Sequence, residues 1–441
     1  MAALMATRAG QRTVWLLGGV LAVGLALGVG YLVPARPILA VAVVGVVLVL
    51  GLTMADVAAI PLLAVPLMLV VRRVGGAGLD LSISDAALGA ATLTALVFAP
   101  RPFSPALRGL LWLSSLYQFA TLFTVIANPY VAGVVEWFHT WALVAGALII
   151  GWTIGRSGHA RSGLNLLLGT ALVLALITLF QGLRQYATGD FGPVYLYWPY
   201  DMHKNFVGTM LGFAAIVAYA RPLWLGWRKR WALTAFTVYA VAIMMTQSRQ
   251  ALVGLAVALV VIVMRGDAHR RRSKIILALV VPATVVVVMT VREQLASGNA
   301  YNSANTRLAW LRDTVAYWAT SPWVGHGLRY WYRPGEPTFQ PPNAEMEVIA
   351  AAGIVGLAAF LVLMIGALPI LWRLDPAYGT LAVAVQLSRI FSGQLDLFWV
   401  TAQASVPFLV IGICLGALDR AQRQSPPAPV LAASGAGWGS G

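Results

Sequence analysis

The residues best placed to do chemistry are arginines, at positions where arginine is costly. Arg249 lies in "MMTQSRQALVGL", in a turn of a few residues between two apolar runs. At membrane depth an arginine must snorkel, pair or face water. Guanidinium keeps its charge and meets two phosphate oxygens at once, so an anion clamp is the sharper reading and a snorkelling interface residue the plainer one. Arg184, in "LFQGLRQYATGDFG", ends another apolar run on the same side. His203 and Lys204, in "YWPYDMHKNFVGTML", open a third. They read as further anion ligands, with Asp201 as an N-cap acid, or the stretch is an aromatic belt of Tyr195, Tyr197, Trp198 and Tyr200 beside capping groups.

Acids are scarce, at 15 Asp and Glu in 441 residues. Two of them, Glu345 and Glu347, stand in "FQPPNAEMEVIAAAGIVGL" at the mouth of an apolar run. Residues two apart on a helix are separated by about 200° of rotation, so these cannot act as a carboxylate pair. One is expected to face a cavity as a general base for a hydroxyl proton. The other favours a helix N-terminus, where negative charge is stabilised by about 0.3–1 kcal/mol. Capping alone is the alternative for both. Glu136 and His139, in "VEWFHTW", are three apart and share a helix face, either as a functional pair or as mutual partners. The five histidines are scattered and no HExxH or Cys/His spacing exists, so neither a protein-held metal nor a cofactor is expected. Cys414 stands alone in an apolar run, which excludes an internal disulfide.

These residues must be positioned by membrane-spanning helices. The chain is 60% hydrophobic and 10% charged, with a mean hydropathy of +0.80, whereas a soluble domain carries about 25% charged residues. The apolar runs are helical in texture, unlike the alternating segments of roughly ten residues in a β-barrel. The expected fold is an all-α integral membrane protein, a polytopic bundle of about 12 (12–14) transmembrane helices. Candidate spans are 14–33, 38–53, 107–126, 131–155, 162–182, 205–220, 231–246, 250–264, 275–291, 346–372 and 399–418, with weaker ones at 57–71, 84–99 and 378–392. The basic start and long first apolar run read as a retained helix with a cytoplasmic N-terminus.

The net charge of +15 is mostly arginine. Basic loops at 155–161, 221–230, 265–274 and 419–423 are expected to be cytoplasmic, which leaves 183–204, 247–249, 292–345 and 389–398 outside. Arg72 and Arg73 conflict with that scheme if 57–71 spans. The large outer loop, 292–345, should carry an amphipathic helix ending at Ser321-Pro322, with Trp310, Trp318 and Trp323 at the interface. Its Arg307, Arg312, Arg329 and Arg333 favour an anionic partner at the outer surface, some of them pairing with Asp313 and Glu336. The chain divides into N-terminal helices (1–161), core helices with arginine-bearing outer turns (162–291), the outer loop (292–345), C-terminal helices (346–423) and a Pro/Gly/Ser/Ala-rich tail (424–441) expected to be disordered.

Four stretches, in this order, resemble the bacterial O-antigen ligase and O-antigen polymerase superfamily: "HKNFVGTMLGF" (203–213), "TQSRQALVGLAVAL" (246–259), "NTRLAWLRDTVAYWATSPWVGHGLRYW" (305–331) and "PPNAEMEVIAAAGIVGLAAF" (341–360). They are similar to the family's lysine-asparagine helix start, its Ser-Arg turn, its loop helix ending in Pro-x-x-Gly-x-Gly, and its His-Asn helix with a downstream Gly-x-x-Gly. The resemblance covers about residues 200–365. It implies an inverting, metal-independent glycosyltransferase at the outer face of the bacterial cytoplasmic membrane. The donor would be a glycan on a polyprenyl pyrophosphate, the acceptor a sugar hydroxyl of a glycan or glycolipid, with membrane lipids as further partners. By motif position Arg249 matches the family's membrane-embedded arginine, and Arg184, Lys204, His203, Arg307 and Arg329 complete the expected donor site. Asn343, Trp331 and Tyr332 are expected on the acceptor side. Pro342 stands where the family has its histidine, so that role is vacant, moved to His326 or His203, or taken by Glu345 or Glu347. A lipid-linked glycan or small-molecule transporter is the rival reading, although no repeat symmetry of the kind transporters show is visible.

Overall fold

The computed structural model describes residues 37–73, 81–265, 303–337 and 339–424, with a few isolated positions besides. The candidate spans 14–33 and 275–291, most of the basic loop 265–274 and nearly all of the tail 424–441 lie outside the described residues. Residues up to Ile60 form one compact unit and Pro61–Gly441 a second. In the first, helix α1 (Pro37–Ala55) is apolar throughout, and Asp56 then accepts a hydrogen bond from Ala58 N at 2.9 Å. Everything below concerns the second unit.

Its helices after the short α2 (Ala59–Leu67) are α3 (Ile83–Phe98), α4 (Pro105–Ala127), α5 (Val131–Arg156, with a π turn at Ala142–Gly146), α6 (Ala160–Ala187), α7 (Lys204–Ala220), α8 (Lys229–Thr246), α9 (Arg249–Met264), α10 (Ser303–Trp318), α11 (Ala344–Trp372), α12 (Pro376–Gly393) and α13 (Thr401–Gln424). Among the described residues five helices, α4, α5, α6, α11 and α13, are long and apolar enough to cross a membrane, while α3, α7 and α9 are shorter apolar helices. This confirms a helical membrane protein but falls short of the expected 12 to 14 spans. The candidate 57–71 resolves into a helix of nine residues carrying Pro66, because a helix-interior proline removes a backbone donor.

Two devices organise this unit. α5 and α13 pack backbone to backbone through Gly151 and Gly155 on one helix and Gly412 and Gly416 on the other. A Cβ on Gly412 would lie 2.9 Å from Trp152 N and 3.0 Å from the Gly151 Cα. Small residues let membrane helices approach this closely. Arg156 and Arg423 then share Asp419 Oδ2 at 2.6 and 2.9 Å.

The second device is a splice between residues 322–327 and α11. Gly353 inside α11 has φ +64° and ψ −167°, which breaks the helix. The freed carbonyls of Ala350 and Ala351 accept from His326 N (3.0 Å) and Gly327 N (2.9 Å). On the far side of the break, Ile354 N and Val355 N donate to the carbonyls of Pro322 (2.9 Å) and Trp323 (3.2 Å). A broken helix must satisfy its backbone groups from elsewhere, above all in a membrane. Here a neighbouring segment supplies all four bonds. Gly325 (φ +68°) and Gly327 (φ +106°) take backbone angles that disfavour any side chain. The Pro-x-x-Gly-x-Gly motif of the loop and the glycine motif of the apolar helix are therefore two halves of one joint.

Candidate functional site

The splice delivers residues 328–332 to a cavity of about 780 Å³, within the roughly 300–1,000 Å³ usual for ligand sites. Six other segments complete the walls, among them α10 with Thr306, Arg307 and Trp310, and residues 340–342 with Gln340 and Pro342. Residues 71–73 and 82–85 enter where Ser84 Oγ donates to the Met68 carbonyl (2.6 Å) and Ser84 N to the Val70 carbonyl (3.0 Å), presenting Arg73, Ser82 and Asp85. α5 supplies Glu136. A small turn, in which Leu196 and Met202 exchange backbone hydrogen bonds (3.3 and 2.9 Å), presents Asp201, Met202 and His203. The 396–403 segment supplies Asp396, Leu397, Trp399, Val400, Thr401 and Gln403.

One side of this cavity is cationic. His203 caps α7, its Nδ1 accepting from Asn205 N at 3.3 Å. Gln250, in the first turn of α9, donates to the Asn205 carbonyl (3.2 Å) and to Thr209 Oγ1 (3.0 Å), which stitches the starts of α7 and α9 together. Lys204 and Arg249 are thereby brought near Arg307 on α10, close enough for the three to repel one another. His203 and Arg307 line the cavity, and Lys204 and Arg249 do not. Burial lowers the His203 pKa below its ordinary value, and Lys204 and Arg307 add to that against an opposing pull from Asp396. His203 is therefore a neutral hydrogen-bonding group in a cationic wall.

The other side is a chain of alternating charge. Ser82 N-caps α3 and Asp85 closes the capping box from the first turn, its Oδ2 accepting from Ser82 N and Ser82 Oγ, both at 2.8 Å. Asp85 Oδ1 accepts from Thr401 Oγ1 at 2.8 Å and meets His139 Nε2 at 2.9 Å. His139 Nδ1 meets Glu136 Oε2 at 3.0 Å, and the same oxygen takes Arg329 Nε at 2.6 Å. A deprotonated carboxylate only accepts, so the imidazole donates from both nitrogens. Glu136 is 4% exposed, and its charge is matched by two cations.

Asp396 differs from these acids. It lines the cavity, and among the described residues it makes no hydrogen bond or ion pair. Its field reaches His203 on the cationic wall. Trp331 and Tyr332, expected on the acceptor side, line the cavity with Trp310 and Trp399. Trp399 is fixed by stacking on Tyr117 (5.4 Å, 16°) and by edge contacts with Phe360 and Phe398.

Other residues singled out in the sequence lie elsewhere. Asn343 N-caps α11 through Met346 N (3.0 Å) and donates to Gln394 Oε1 and to the Gln394 carbonyl, both at 3.2 Å. Glu345 Oε1 accepts from Gln394 Nε2 at 2.7 Å. Neither residue lines the cavity, although Pro342 does. Glu347 is 1% exposed. Its oxygens accept from Gln340 Nε2 (2.7 Å) and Phe398 N (2.8 Å). His326 stacks on Tyr317 at 3.7 Å, its Nε2 2.8 Å from the Tyr317 carbonyl, inside the splice. Arg184 lies over Phe180 (5.8 Å) in a different groove of about 1,010 Å³ with Leu176, Tyr195 and Trp198.

Glu347 acts together with Arg389, which is 0% exposed. Arg389 Nη2 donates to the Leu397 carbonyl at 3.1 Å and also to that of Phe398, and its guanidinium lies 4.3 Å from the Phe398 ring centroid. The buried acid thus holds the Phe398 N–H while the buried base holds the Phe398 carbonyl, and Asp396 and Trp399 flank the gripped residues. Arg389 lies in the fields of Asp396 and Glu347, and disrupting a buried charge arrangement by removing one member costs about 3–5 kcal/mol. Arg389→Met is therefore expected to lose about 3–5 kcal/mol of unfolding free energy in detergent, and the Arg389→Met/Glu347→Gln double variant to recover part of it. An unchanged denaturation midpoint in Arg389→Met would show that the two charges do not compensate each other.

Residues 234–361 match the model of a family described as O-antigen ligase. For this segment the match supports the O-antigen ligase and polymerase superfamily that the motifs resemble. The ligase-family segment runs from α8 into α11 and contains Arg249, Arg307, Arg329, Trp331, Tyr332 and both halves of the splice. Asp85, Glu136, His139, His203 and Asp396 lie outside it, so the cavity is built from the matched segment and from segments on either side. A search of curated proteins returns no match. Sequence reasoning paired Glu136 with His139 but missed Asp85, Asp396 and Thr401. The available signal was the rarity of acids, since Asp396 is a lone carboxylate in "QLDLFWV".

Proposed function

We propose that this multi-pass O-antigen ligase family protein transfers or polymerises a glycan from a polyprenyl-pyrophosphate donor onto a sugar hydroxyl, at the outer face of the bacterial cytoplasmic membrane. The observation that carries this reading is one cavity with a cationic wall and a carboxylate, Asp396, that makes no hydrogen bond or ion pair among the described residues. His203 and Arg307, with Lys204 and Arg249 near Arg307, hold the pyrophosphate, and Arg329 reaches it from the opposite wall. His203 contributes a hydrogen bond, and the Lys204, Arg249, Arg307 and Arg329 cations stabilise the charge that develops on the leaving group. Aromatic faces of Trp331, Tyr332 and Trp399 bed the sugar rings.

In the reaction the acceptor hydroxyl gives its proton to Asp396 as its oxygen bonds to the anomeric carbon of the donor. The bond from that carbon to the pyrophosphate oxygen breaks, and the electron pair leaves with the polyprenyl pyrophosphate. Attack opposite the leaving group inverts the anomeric centre. Cations on one side and a base on the other hold both reactants in line, which is where orientation lowers the barrier. With Pro342 in the family histidine's place, Asp396 takes that work ahead of Asp201, which also lines the cavity but is exposed to solvent.

Purified protein reconstituted in vesicles with a polyprenyl-pyrophosphate-linked glycan is expected to release polyprenyl pyrophosphate in step with glycan transfer. Movement of intact donor between leaflets without its cleavage would replace this reading with that of a transporter.

A further inference from the structure

The chain Asp85–His139–Glu136–Arg329 does more than neutralise buried charge. A single oxygen, Glu136 Oε2, receives both the His139 ring (3.0 Å) and Arg329 Nε (2.6 Å), so the imidazole decides where the oxygen that holds Arg329 sits. The imidazole is fixed in turn at its other nitrogen by Asp85 (2.9 Å). Asp85 is fixed by the capping box and by Thr401 Oγ1. The chain therefore ties the starts of α3 and α13 to α5 and then to the segment after the splice. Arg329 needs such an anchor. Its backbone is left-handed, with φ +59°, an uncommon conformation for a non-glycine residue, and it follows directly on the glycine-rich splice. Spending Nε on Glu136 leaves the two terminal amino groups for an anion, the pair that meets phosphate oxygens side by side.

We propose that His139 is a positioning residue, which through Glu136 aims the Arg329 guanidinium into the cavity. The proposal rests on the reading of that cavity as an anion site. His139 does not line the cavity, so its effect on an anion must pass through Arg329.

Inorganic pyrophosphate binding to the purified full chain in detergent, followed by calorimetry, tests this in a double-mutant cycle. Arg329→Gln is expected to weaken binding about tenfold or more, as loss of charge-assisted hydrogen bonds does. His139→Gln should weaken it to a similar degree, and the double variant no further than Arg329→Gln alone. A general structural defect at His139 would instead lower affinity by the same factor in both backgrounds, and that additive result would overturn the proposal. If Arg329→Gln weakens binding and His139→Gln does not, the positioning role fails while the anion site stands. Wild-type affinity in all variants would overturn both. Should His139→Gln not fold, Asp85→Asn takes its place. It removes the charge on the far side of the ring, and it should give a smaller loss that is again absent in the Arg329→Gln background.

Discussion

Asp396→Asn is expected to lower glycan transfer by about 10²–10⁴-fold, the usual contribution of a general base. The change is nearly isosteric and affects a residue with no hydrogen bond or ion pair among the described residues, so folding should be preserved. It also removes the one cavity acid whose field opposes the cationic wall at His203. Inorganic pyrophosphate should therefore bind the variant at least as tightly as the wild type. That divergence separates a base from a structural residue, whose loss would lower transfer and binding together. The measurement is turnover of lipid-linked glycan in vesicles beside calorimetric pyrophosphate binding. Transfer within tenfold of wild type would remove Asp396 from the mechanism. The comparison variants Glu345→Gln and Glu347→Gln bear on residues outside the cavity, and a much larger loss of transfer there than in Asp396→Asn would return the base to the start of α11.

Gly353→Ala is expected to be the most damaging single substitution in the ligase-family segment. Its φ of +64° with ψ −167° is a region open essentially to glycine alone, at about 1–3 kcal/mol for another residue. A Cβ there would also run into the Trp323 carbonyl group and lie 2.6 Å from Val324 N. Relief of that clash requires residues 322–327 to leave α11. Doing so breaks the four backbone hydrogen bonds of the splice, each contributing about 0.5–1.5 kcal/mol. We expect a loss of about 3–5 kcal/mol in denaturant unfolding, with pyrophosphate binding lost as Arg329 is displaced. Gly169→Ala, at a helical position where a Cβ meets nothing within 4 Å, should be neutral or slightly stabilising. Equal melting of the two variants would show that the splice does not hold.

The sequence read out well wherever one residue's own chemistry decided the matter. Hydropathy identified a helical membrane protein, because a bilayer accepts few other folds. The scarcity of acids drew attention to Glu136 and His139, whose spacing of three puts them on one helix face whatever the fold. Asn343, expected on the acceptor side, is instead the N-cap of α11, because the first turn of a helix has unpaired N–H groups that a short polar side chain can accept from. The geometry that separates Glu345 from Glu347 also holds in the structure, where one turns to Gln394 and the other to Phe398.

What tertiary structure decided was partnership across distance. Helical periodicity says which face a residue occupies but not what lies opposite. Glu347 therefore reads equally well as a base at a cavity or as an acid buried under the Phe398 peptide, 51 residues on. The same limit hid Asp85, 54 residues from the histidine it holds, and Asp396, whose meaning depends on a cationic wall built from α7 and α10. The two glycine motifs show it most clearly. Taken alone, each glycine marks only a place where a side chain does not fit. Only the folded chain shows that residues 322–327 are the missing backbone partners of the break in α11, and that this joint carries Arg329 to the cavity.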